Sequence, residues 1–183
     1  QGILVHDHDK TFYNYGSGHQ ECLAHVLRYL KDSMENESNL KWNKQMRELL
    51  QEMIHYRNSL DPDSDTDHDK VIWYETRYQD ILGVAKEEYE YEPPSKYYKD
   101  GYNLYIKLLN YKESHLLFLH DNCVPTNNNL SERLLRVFKR KQKQVMVFRS
   151  FDSLHHLCNS MGIINSLHSQ GKNLYTSIAS IFK

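Results

Sequence analysis

Gly2-Ile3-Leu4-Val5-His6-Asp7 stands at the head of the chain, and its unbroken apolar run closing on a carboxylate reads as a short buried strand over residues 2–6. A carboxylate at the C-terminal end of a strand faces the crevice where open α/β sheets bind ligands, so Asp7 is the first candidate site residue. Asp9 shares the same turn, and turns are rich in Asp. The chain starts at Gln1 rather than Met and enters this strand at once, which reads as a fragment of a larger domain.

Beyond the strand the pattern turns helical. Gly16, Ser17 and Gly18 break the chain, after which Cys22, Leu23, Val26, Leu27 and Leu30 recur at helical spacing over about 19–35. Leu40, Met46, Leu49, Leu50, Met53 and Ile54 repeat that spacing over 38–60, and Val71, Ile72, Tyr78, Ile81, Leu82, Ala85 and Tyr89 over 67–90. Gly83 inside the third segment costs about 1 kcal/mol relative to Ala and marks a possible bend. Pro93-Pro94 ends the region as a natural linker. A long helix or a broken pair then runs to His120, a loop occupies 121–129, strong helix formers fill 130–142, and Val145–Phe148 reads as an extended run. The last thirty or so residues give two helices parted at Gly171, a suitable C-terminal cap. The expected class is mainly α with one or two short strands.

At 183 residues the chain suits one domain with a core of its own, and 39% hydrophobic residues make that core lean. No apolar run approaches a membrane span and no signal-like segment opens the chain. Cys22, Cys123 and Cys158, odd in number and widely spaced, argue against a disulfide framework and fit a reducing compartment. The net charge of -1 hides a division: residues 121–183 hold nine Lys and Arg against three acids, a local +6, which leaves -7 on the rest. A segregated basic third suits a polyanion, because each phosphate contact releases counterions locally; it equally suits a solvated helix face.

Three patterns invite chemistry. Asp61–Asp69 alternates oxygen ligands as a calcium loop does, but Thr66 and Ile72 stand where such a loop needs Gly and Glu, so it reads as a solvated turn capping the next helix. His19, Cys22 and His25 are spaced as possible zinc ligands; with no fourth ligand nearby, polar core or supporting roles are the stronger reading. Glu132 is the only acid between Asp121 and Asp152 and lies among Arg133, Arg136, Lys139 and Arg140. It suits a capping box with Asn129, or a singular acid on a basic helix.

Val124-Pro125-Thr126-Asn127-Asn128-Asn129-Leu130-Ser131-Glu132-Arg133, followed by the basic run to Lys143 and by Phe148-Arg149-Ser150, resembles the C-terminal catalytic segment of bacterial transposases of the insertion sequence 66 type. Val5-His6-Asp7-His8-Asp9-Lys10 and His19–Leu30 resemble two N-terminal motifs of the same family, so the likeness covers about 1–32 and 104–182 in the correct order.

That resemblance implies the C-terminal portion of an α/β, RNase H-like DDE domain with a helical insertion. Residues 1–35 would carry the second-acid strand and the C-x-x-H helix, 36–95 the helical insertion, and 96–183 the third-acid helix, basic segment and C-terminal helices. Asp7 is implied as the second catalytic and metal-binding acid and Glu132 as the third, with two Mg2+ or Mn2+ ions in the complete site. Arg133, Arg136, Lys139, Arg140 and Lys143 are implied to bind DNA, Cys22 and His25 to be the C-x-x-H pair, and Asn128 and Asn129 to belong to the structural motif. Asp9 falls where the family has an aromatic residue and is read as a bystander.

The implied partners are insertion-sequence ends and target DNA, with homo-oligomers of the full-length protein, no membrane, and a bacterial cytoplasmic location on the nucleoid. Three departures accompany the likeness. The first triad Asp has no counterpart in these residues, so the chain alone is expected to be inactive. Asn127 replaces an acid of the family's Asp-Asn-Asn, and Arg28-Tyr29-Leu30 replaces Arg-Glu-Leu. A non-catalytic DNA-binding or partner-binding remnant of a decayed transposase is the alternative.

Overall fold

The computed structural model describes residues 2–61, 64–145 and 149–180. Two compact units divide it, residues 1–128 and 129–183.

In the first unit, strand β1 (Ile3–His6) pairs in parallel with β2 (Gly18–Glu21), in a register running from Ile3 opposite Gly18 to His6 opposite Glu21. The crossover is a short 3-10 helix, Lys10–Asn14, whose start is capped where Asp9 Oδ1 accepts from Thr11 N at 2.8 Å. Gly16 completes the return at φ +81°, where an added Cβ would lie 3.0 Å from the Gly2 carbonyl oxygen. The β1 strand read from the sequence is therefore present. The helix expected from residue 19 is not: residues 18–21 form β2, and helix α1 (Leu23–Asn36) begins only after it.

Four further helices complete this unit: α2 (Trp42–Ser59), α3 (His68–Tyr91), α4 (Asp100–Asn110) and α5 (Lys112–Leu116), the last running into a 3-10 turn at Leu117–Leu119. The stretch to His120 is thus a broken pair, whereas α3 passes through Gly83 without interruption. Apolar positions three or four apart build one core: Leu23, Val26 and Leu30 of α1 meet Trp42, Met46, Leu50 and Met53 of α2, with Tyr74, Tyr78 and Ile81 of α3. Each fully buried side chain of this kind contributes about 1.5–3 kcal/mol. The Tyr78 hydroxyl, carried into that core, donates to the Leu108 carbonyl at 2.9 Å.

Helix α2 has no cap from its own flank. Instead the Glu88 carboxylate, on the neighbouring α3, accepts from Lys41 N at 3.0 Å and Trp42 N at 3.1 Å. Glu88→Ala is expected to cost about 1 kcal/mol, the usual value of a lost cap, read as a lower urea midpoint at unchanged slope. An unchanged midpoint would assign the start of α2 to packing alone.

The second unit comprises α6 (Asn129–Val145), α7 (Phe151–Ser169) and α8 (Leu174–Ala179). Helix α6 continues into Val145, and the rest of the extended run expected at 145–148 lies outside the described residues. Ser150 caps α7 by accepting from Ser153 N at 3.2 Å, and Gly171 parts α7 from α8 at φ +65°, as its position suggested. No side chain of this unit is buried among the described residues. No helix among the described residues is long and apolar enough to cross a membrane.

Candidate active site

β1 ends at His6, and its next residue, Asp7, stands exposed at the C-terminal end of a parallel pair. The Asp7 backbone is held from two sides: its carbonyl accepts from His6 Nδ1–H at 2.6 Å and from Asp9 N at 2.7 Å. Because a carbonyl can only accept, His6 carries a proton on Nδ1, and its Nε2 lies 3.1 Å from His19 Nδ1, an acceptor there when the His6 ring is neutral. Asp9 spends its carboxylate on capping the 3-10 helix, and the Thr11 hydrogen bonds lower its pKa.

Behind Asp7 lies a group that sequence reasoning missed. Glu21, the last residue of β2, is 2% exposed. Its Oε1 accepts from Tyr13 OH at 2.5 Å and from His8 Nδ1–H, and its Oε2 accepts from His115 Nε2–H at 3.2 Å. Burial alone would raise this carboxyl's pKa, but the bonds from His115, Tyr13 and His8 outweigh burial and hold it down to about 2. Tyr13 moves the opposite way, raised by burial and by its bond to Glu21, so its hydroxyl remains a donor. The Glu21 carboxylate therefore ties the loop after β1, the 3-10 crossover and α5 to one point, and Glu21 pairs in register with His6, the residue before Asp7.

Gln20 fixes the same strand to the α5 segment. Its Nε2 donates to the carbonyls of Glu21 and His115 at 2.8 and 3.2 Å, and its Oε1 accepts from Phe118 N at 2.9 Å. The strand pairing continues in Cys22 N, which donates to His6 O at 2.7 Å. Leu23 N donates to Thr126 O at 2.9 Å, docking the Val124–Thr126 part of the downstream motif onto the start of α1.

Cys22 is buried at the N-cap of α1 and His25 is half-buried in its first turn. His19 is engaged with His6, and among the described residues no three His, Cys, Asp or Glu side chains are grouped as a metal ion requires, so the zinc reading of His19, Cys22 and His25 gains no support. Asn128 closes the first unit and Asn129 opens α6, with Glu132 half-buried in that helix's first turn. Arg133, Arg136, Lys139, Arg140 and Lys143 follow on α6, all exposed. Asp7 and Glu132 offer carboxylate oxygens of the kind hard divalent cations take, but they are two ligands and belong to different units.

Residues 1–155 match the family described as Transposase IS66 family, a span that includes Asp7, the C-x-x-H pair, Glu132 and the basic face of α6. The chain belongs to that family. Comparisons with curated proteins and with solved structures gave no match.

Proposed function

We propose that this chain supplies two of the three acids of a site that cuts and transfers DNA strands for an insertion sequence, Asp7 as the second and Glu132 as the third. The observation that carries the reading is the exposed Asp7 at the C-terminal end of a parallel strand, within a family match that also spans Glu132. A strand-end acid and a later helix-borne acid suit an RNase H-like arrangement, and the family match, which covers residues of both units, supports reading them as parts of one catalytic domain.

Asp7 and Glu132 would hold divalent magnesium or manganese, which would supply electrostatic neutralisation of the charge that develops on the phosphodiester oxygens. The chain's own groups do the remaining work. Glu21 and His6 hold the Asp7 loop against rotation. Arg133, Arg136, Lys139, Arg140 and Lys143 bind the phosphate backbone, giving affinity with little sequence information. Cys22 and His25 fix the start of α1, while Asn128 and Asn129 lead into the Glu132 helix. DNA ends and target are the partners, with a homo-oligomer and a place on the bacterial nucleoid following from that work.

Two acids are too few to organise this chemistry, so the chain alone is expected to leave donor DNA uncut in Mg2+ or Mn2+ while still binding it. Binding should weaken steeply with salt. Replacing Arg136 and Lys139 by Ala should reduce the log–log salt slope by about 2 and weaken duplexes of any sequence alike. Cleavage by the chain alone, abolished by Glu132→Ala, would overturn the expected inactivity; binding indifferent to salt would overturn the DNA-binding role. Asn127 in place of the family's acid favours the second reading, a non-catalytic DNA-binding remnant. It gains if the complete protein binds DNA normally but does not cut it.

A further inference from the structure

A groove of about 810 Å³ runs between α1 and α4 and opens beside the loop that carries Asp7. Both helices turn one polar row into it: Tyr29, Asp32 and Asn36 from α1, and Asp100, Asn103, Lys107 and Asn110 from α4. The spacings of three and four residues place each row on one helix face. The groove is polarised along its length. At the end beside the Asp7 loop lie Lys10, His8 and Tyr111, with Lys107 Nζ 5.7 Å from the centre of the Tyr29 ring. At the other end Tyr98 sits with Asp32, Asp100 and Asn36; burial, then the carboxylates of Glu37, Asp100 and Asp32, raise its pKa, so it stays a neutral phenol.

Two of these groups have structural bonds, His8 to Glu21 and Asn36 Nδ2 to the Asp32 carbonyl at 2.8 Å, and those bonds do not account for the order in which the charges and rings are laid out. Tyr29 is 41% exposed, although an aromatic ring gains most from burial. Two lysines at one end call for an anion. Two carboxylates and amides at the other call for N–H donors, and tyrosine faces along the way call for flat rings. A nucleotide has all three in the same order: phosphate, then a planar base, then exocyclic amino groups on its edge.

We infer that this groove binds an unpaired deoxynucleotide of the DNA strand handled at Asp7, with its phosphate at Lys10 and Lys107, its base against Tyr29 and Tyr98, and its amino edge toward Asp32 and Asp100. The inference rests on the transposase reading for the identity of the strand and extends it from the acids to a seat for unpaired DNA. Carboxylates accept from cytosine N4 but find no exocyclic amine on thymine, so the groove discriminates between bases.

The test uses the whole 183-residue chain and fluorescent single-stranded oligodeoxycytidylate, oligothymidylate and a mixed-sequence duplex, read by anisotropy at fixed salt. Oligodeoxycytidylate should bind more tightly than oligothymidylate. Tyr29→Ala should weaken the single strand about tenfold and Tyr29→Phe should restore it, since stacking needs the ring and not the hydroxyl. Lys107→Ala should weaken it as well, and neither change should alter duplex binding through α6. Circular dichroism of each variant should match that of the parent.

Single-strand binding unchanged by both Tyr29→Ala and Lys107→Ala would overturn the groove and leave the transposase reading standing. Competition by free dCMP as strong as by the oligomer would also overturn it, by assigning the groove to a small molecule. The transposase reading fails by a separate sign, the loss of salt-dependent duplex binding.

Discussion

Glu21→Ala is expected to destabilise the first unit by about 3–5 kcal/mol, the cost of removing one partner from a buried charged network. The carboxylate is 2% exposed and receives Tyr13, His8 and His115. Alanine leaves those three donors facing a cavity into which little water can enter. Set against a typical total of about 5–15 kcal/mol, that loss should lower the thermal midpoint by roughly 10–15 °C.

Acid should expose the same network. The folded Glu21 carboxyl titrates at about 2 against an ordinary 4.5, a difference corresponding to about 3 kcal/mol. Because the folded value is the lower one, the contribution is complete above pH 4.5 and is lost as pH falls from there toward 2. The stability gap between the parent and Glu21→Gln should therefore shrink by about 3 kcal/mol across that window. Equal stability of parent and Glu21→Ala at neutral pH would mean that the three donors find other partners.

The reason this network escaped sequence reading is physical. β1 announces itself because Ile3-Leu4-Val5 is an apolar run, but its partner β2 is Gly18-His19-Gln20-Glu21, which contains no apolar residue. It is buried by polar bonding: Gln20 bridges to the α5 segment, and Glu21 collects His8 and Tyr13 from the preceding crossover and His115 from far down the chain. The helical periodicity of residues 22–30 then drew residues 19–21 into the following helix. Likewise, the Glu88 carboxylate that caps α2 is 46 residues from Trp42, beyond any local capping rule.

What local pattern could report, it did. The bounds of α3 at His68 and Tyr91 follow from the Asp67 cap, which accepts from Lys70 N at 2.9 Å, and from the prolines beyond Glu92. Asp7 at a strand end and Glu132 alone in a basic run were visible as residues, but local pattern equally suited a turn and a capping box, and it was the family resemblance that singled them out. The groove between α1 and α4 was not legible, since no local pattern in the sequence tells that these two helices lie side by side.

The second large effect concerns the chemistry. On the assignment proposed above, Asp7→Asn and Glu132→Gln in a transposase with all three acids should each reduce strand cleavage by at least about a thousandfold, because each would remove a charge that a neutral amide oxygen does not replace at a divalent ion. Neither substitution alters a phosphate-binding side chain. Asp7 is exposed, with its backbone fixed by His6 and Asp9, so its replacement should leave the unit folded. Asp9→Asn, which keeps an oxygen to cap Thr11, should cut at close to the parent rate, setting the two neighbouring acids apart.

Cleavage of insertion-sequence end DNA in Mg2+ or Mn2+, compared among the parent transposase, Asp7→Asn and Glu132→Gln at equal DNA occupancy, tests the assignment most directly. The expected result is loss of cutting in both variants with binding retained; cutting at the parent rate by either one would contradict it.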